Sequence, residues 1–154
     1  MVLLVLGTTS CAPSQQHPRS TETSAESTAR KHTNNPVRHD LEPLTKRFPA
    51  LGTPDAASWV SGVMGDTDAP GPSTYWIDAI VDLNPATVAE LNSKYKPMPT
   101  AAHPDVWNTL TGLLPSRGYV TSDALDEAFA SARISAKAYL AEQASVIVIT
   151  SMGE

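Results

Sequence analysis

All nine aromatic side chains lie beyond residue 40, from Phe48 to Tyr139. Between Ala12 and Asp40 there is one large aliphatic residue, Val37, and eight of the 29 residues are Ser or Thr. Ordering a backbone residue costs roughly 1 to 2 kcal/mol, and a stretch with so little apolar surface does not offset that cost. Residues 11–40 therefore read as a disordered Ser/Thr/Pro-rich tether. Treated as a random coil, it spans about 30 Å. The folding capacity is confined to residues 41–154, enough for one buried core without staples. This part carries 7 basic and 13 acidic residues, a net of −6, whereas the whole 154-residue chain carries −5. Such a domain repels phosphate backbones, so nucleic acid is not an expected partner.

Periodicity divides the domain into elements. Leu41 to Leu51, with Pro43 and Pro49, reads as a short helix or turn. Ser58 to Met64 suggests a strand, and Thr74 to Leu83 a stronger one. In the latter, Tyr75, Ile77, Ala79, Val81 and Leu83 share one face, and Trp76, Asp78, Ile80 and Asp82 the other. Asn84 is a good N-cap and Pro85 suits the first helical position, with Val88, Leu91 and Tyr95 following at helical spacing until Pro97. A second helix is expected from Pro104 to Pro115, and a third capped by Thr121 or Ser122 with Leu125 and Phe129 on one face. Residues 133 to 144 suit a strand or a continued helix, the strand being preferred. Ser145 to Met152 is β-branched and apolar on both faces, the pattern of a central strand. The expected fold is α+β, a small antiparallel sheet of three to four strands with about three helices packed on one side.

The amino-terminal end has its own logic. Met1 to Leu6 is wholly apolar, but too short to span a bilayer, which takes about 20 such residues. It suits the end of a secretory signal, followed by small residues. Leu6-Gly7-Thr8-Thr9-Ser10-Cys11 resembles the lipobox of bacterial lipoproteins. The resemblance implies a truncated lipoprotein signal at residues 1–10, acylation of Cys11, and attachment to the extracytoplasmic face of the cell membrane. Arg47-Phe48-Pro49-Ala50-Leu51-Gly52 and Pro70-Gly71-Pro72-Ser73-Thr74-Tyr75-Trp76-Ile77-Asp78 are similar to stretches of small secreted or lipoprotein-type proteins of actinobacteria, whose activity is uncharacterised. As the only cysteine, Cys11 excludes an intrachain disulfide and a multi-cysteine zinc site.

Few residues carry chemistry. Asp66 and Asp68 sit in a Gly/Pro-rich loop and offer two carboxylates to a hard cation, but no third acidic ligand or terminal bidentate Glu accompanies them; a hairpin turn is the default. Trp76 and Asp78, with Trp59 near them across the sheet, form either a ligand-binding surface or ordinary core beneath a helix. His103 has no nucleophile in register and reads as a helix cap; His17, His32 and His39 are too irregularly spaced to ligate a metal. No cofactor and no metal are expected. The sequence thus points to a lipid-anchored extracytoplasmic binding or interaction module of unknown ligand, with Cys11 as the lipid site and Trp59, Asp66, Asp68, Trp76 and Asp78 as candidate ligand contacts. The alternatives are a cell-envelope hydrolase using Asp66, Asp68 or Asp78, and a small acidic inhibitor or immunity-type protein with a protein partner.

Overall fold

A computed structural model describes residues 30–65 and 73–154. The elements are, in chain order, β1 (Lys31–His32), α1 (Glu42–Arg47), a 3-10 turn (Pro49–Leu51), β2 (Ala56–Met64), β3 (Tyr75–Asp82), α2 (Pro85–Tyr95), β4 (Met98–Thr100), α3 (Asn108–Thr111), β5 (Tyr119–Thr121), α4 (Asp123–Phe129), β6 (Ile134–Ala141) and β7 (Val146–Gly153). All seven strands join one antiparallel sheet in the order β1-β2-β3-β7-β6-β5-β4.

The expected three- or four-stranded sheet with helices on one side is therefore corrected; the α+β class stands. The three additional strands, β1, β4 and β5, have two or three residues each, too few for alternation to register. Short strands also blunt the two sheet edges, and Pro99 removes a donor from β4.

Each sheet face carries a packed core. On one, Ile77, Ala79, Val81 and Leu83 pack with Trp59, Leu91, Leu125, Phe129, Ile147 and Ile149 beneath α1, α2 and α4. Asn84 accepts from the Thr87 amide at 2.9 Å and Pro85 opens α2, as the sequence leads one to expect. Ser122 caps α4 through the Leu125 amide. On the second face Val60, Trp76, Ile80 and Val148 pack with Val106, Leu110 and Tyr119. Here the expected helix from Pro104 to Pro115 shrinks to the single turn of α3. Pro104 is buried ahead of it, and at Gly112 the chain leaves the helix. The preferred strand at 133 to 144 is β6, with Ala138 and Leu140 facing the first core.

The sheet reaches back into the segment that composition assigns to the tether. Lys31 and His32 pair with Met64 and Val63, and Arg38 exchanges both backbone hydrogen bonds with Trp59 at 2.8 and 2.9 Å. Val37, the one large aliphatic residue there, packs against the second core. Cys11, the apolar run before it, and the Asp66 and Asp68 loop lie outside the described residues.

Candidate functional site

Asp78 stands in the middle of β3 on the second face, flanked by Trp76 and Ile80. Its side chain is fully buried. A carboxylate taken out of water needs a charge partner and hydrogen-bond donors. It has both. Lys31 Nζ donates to the two carboxylate oxygens at 2.9 and 2.8 Å, and the Trp107 amide donates to Oδ2 at 2.7 Å. The same ammonium donates to the Asp105 carbonyl at 3.2 Å and lies 5.2 Å from the Trp76 ring centroid. Trp107 packs on Trp76 with centroids 5.1 Å apart. Lys31 thus occupies a cage made of one carboxylate, one carbonyl and an indole face. Burial pushes the Asp78 carboxyl above its ordinary value, against the lowering pull of Lys31 and of the Trp107 amide.

Antiparallel register extends this group across the sheet. Asp78 is opposite Thr150, which is opposite Lys137; Trp76 is opposite Met152, which is opposite Ser135. Over β3 this face is closed by Val106 and Trp107. Over β7 and β6 it stays open as a recess of about 710 Å³, walled by Met64, Trp107, Met152, Thr150, Asp105 and Lys137, with Lys31 and Arg30 at its border. Thioether and indole surfaces supply adaptable apolar contact there, while its two lysines are already paired, Lys31 with Asp78 and Lys137 with Asp126.

Of the predicted ligand contacts, Trp76 and Asp78 do lie together, but neither is exposed: both are fully buried, and the Trp76 indole donates to the Val63 carbonyl at 3.1 Å. Trp59 is not near them. Its partner in β3 is Ala79, which puts it on the opposite face, in the first core. There its indole donates to the Asp40 carbonyl at 3.0 Å, and the Arg38 guanidinium lies over its ring. His103 caps no helix, since α3 begins at Asn108; its ring meets Tyr119 edge-on.

The hydrolase alternative loses Asp78 as a base, because both its oxygens are occupied and no solvent reaches it. His39 Nδ1 lies 2.8 Å from the Ala57 carbonyl and 3.3 Å from Ser58 Oγ. A carbonyl only accepts, so that nitrogen carries the proton and does not activate Ser58. Among the described residues no group of three His, Cys, Asp or Glu side chains is placed to hold a metal ion.

Sequence reasoning missed Lys31, Asp105 and Trp107 as members of this group. The signal that could have found Lys31 is Asp78 itself: a carboxylate in the middle of a largely apolar strand calls for a cation once buried, and Arg30 and Lys31 lie in the segment read as a solvated tether. Comparisons with protein-family models, with curated proteins and with solved structures return no match for this chain.

Proposed function

We propose that the chain is a lipid-anchored binding module on the extracytoplasmic face of the cell membrane, and that it recognises its ligand in the recess over β6 and β7. The observation that carries the binding reading is that recess. It is an open concavity of about 710 Å³ joining Met64, Trp107 and Met152 to Thr150, Asp105 and Lys137. Concave sites with mostly apolar walls and a few convergent polar groups are where small ligands bind. The anchor reading is supported by the lipobox-like approach to Cys11. A membrane tether raises the effective concentration of the module for neighbours on the same surface.

The two parts are tested separately. Intact mass and detergent-phase partitioning of the full chain, made in a bacterial host that processes lipoproteins, should show an acylated, detergent-partitioning protein. Cys11→Ser should be unacylated and aqueous. A wild-type chain without acyl mass would overturn the anchor. For the recess, anilinonaphthalene sulfonate is a suitable probe, an aromatic anion matching apolar walls edged by cations. Its fluorescence should rise with the folded wild type and fall at least about tenfold in apparent affinity with Met152→Asp, roughly the 1.4 kcal/mol that a tenfold change represents. Equal binding by the two proteins would overturn the recess.

A further inference from the structure

Residues 30–38 are held to the domain in the way one chain binds another. The segment is extended and adds to the free edge of β2. Gly65 donates to the Arg30 carbonyl at 3.0 Å, Lys31 and His32 pair with Met64 and Val63, and Thr33 Oγ1 and Asn35 Nδ2 both donate to the Ser61 carbonyl, at 2.8 and 2.9 Å. Gly62 makes the close approach possible: a Cβ there would overlap the His32 carbonyl and lie 2.7 Å from Thr33 Cβ and 2.8 Å from Trp76. One side chain is then read in a pocket, the Lys31 ammonium in its cage of Asp78, the Asp105 carbonyl and Trp76. Edge addition for the main chain with a pocket for a chosen side chain is the general scheme of strand-type peptide recognition. Charge agrees, since the segment carries Arg30, Lys31 and Arg38 and docks on a domain of net charge −6.

We infer that the β2 edge and the Asp78 cage form a docking groove for a basic, extended segment of a partner protein that presents a lysine, and that residues 30–38 fill this groove in the free protein as an internal pseudo-ligand. The inference rests on the binding-module reading and names its partner class. A primary ammonium fits where the cage offers two carboxylate oxygens and a carbonyl as acceptors over an indole face. The cis strand is suited to exchange. It has two residues in ladder register at the outermost position of the sheet, and local opening begins at such places. Because the groove borders the recess through Lys31 and Met64, displacement of the segment would join the two into one longer site.

The test uses the full chain and a fluorescein-labelled peptide of the segment, Arg-Lys-His-Thr-Asn-Asn-Pro-Val-Arg, read by anisotropy. Lys31→Ala empties the cage and leaves the cis segment held on the β2 edge without its ion pair, so the peptide, which keeps its lysine, should displace it and bind that protein at least about tenfold more tightly than the wild type. Binding should fall by at least about tenfold when the peptide carries Lys31→Met, or when the protein also carries Asp78→Asn. Failure of a folded Lys31→Ala chain to bind, or equal binding of the two peptides, overturns the inference. Should Lys31→Ala not fold, the wild type decides. With excess peptide, amide exchange at His32 and Arg38, whose amides face β2, should accelerate while β3 stays protected, and unchanged exchange overturns the inference. Dye binding to the recess is read on the wild type with the groove filled, so the two readings fail independently.

Discussion

The Asp126 carboxylate accepts the Ala138 amide at 2.8 Å, so a side chain from α4 stands where a neighbouring strand would be. β5 pairs with β6 only at Leu140 and Ala141. Further along, the two backbone groups of Ala138 are taken by side chains, its amide by Asp126 and its carbonyl by Thr121 Oγ1 at 2.8 Å. Lys137 adds an ion pair to the other Asp126 oxygen. Asp126→Ala should cost about 1 to 3 kcal/mol, since it orphans a buried N–H; Asp126→Asn keeps an acceptor and should cost less. Lys137→Met should cost under about 1 kcal/mol, because the ammonium is largely in solvent. Urea midpoints at constant m-value measure all three.

Lys31 and Asp78 form the buried pair, and removing one partner of such a pair is expensive. Lys31→Met should lower stability by about 3 kcal/mol, the lower end for buried pairs because the lysine keeps some contact with water.

The Asp78 carboxyl titrates above its ordinary 3.8 in the folded chain because burial disfavours its charge. The folded state then holds a proton that the unfolded chain has released. The associated stability is complete below pH 3.8 and is lost as pH rises through the elevated value. Measured against Asp78→Asn, which does not titrate, the wild type should lose relative stability across that window. A difference flat with pH would contradict the raised value.

Gly62→Ala should expel β1. The added methyl group meets backbone at His32 and ring atoms of Trp76, neither of which yields easily. We expect a loss of about 1 to 3 kcal/mol, typical of overpacking, with amide exchange accelerated at His32 and not in α2.

Ser122 links two helices: its Oγ accepts from the Leu125 amide at 3.1 Å and donates to the Tyr95 carbonyl at 2.9 Å. Ser122→Ala should therefore cost about 1 to 2 kcal/mol, at the upper end for an N-cap, in a chemical-denaturation comparison.

What could be read from residues alone follows from which signals are local. The β3 alternation and the Asn84-Pro85 start of α2 are contained in a few consecutive residues, and they appear in the structure as expected. The relation of Trp59 to Trp76 is not local. It depends on which residue of β2 faces which of β3, and with Trp59 opposite Ala79 the two indoles fall on opposite faces; a shift of one residue would have put them together. β1 was illegible for another reason. Two residues have no period, and Lys31 and His32 are polar; a distant carboxylate and a sheet edge hold them. The recess was equally hidden, because its walls come from Met64, Trp107, Thr150 and Met152, far apart in the chain and adjacent only through register.

The position of β7 has a consequence in time. It is the last strand in chain order, yet it lies at the centre of the sheet, between β3 and β6. Before it emerges during synthesis, β1 to β3 and β4 to β6 are two half-sheets, each with an open edge and no ladder between them. Neither core can close until the final strand arrives, since Ile147 and Ile149 belong to one and Val148 to the other. Closure of both cores thus waits for β7 and depends on distant pairings, which makes folding slow.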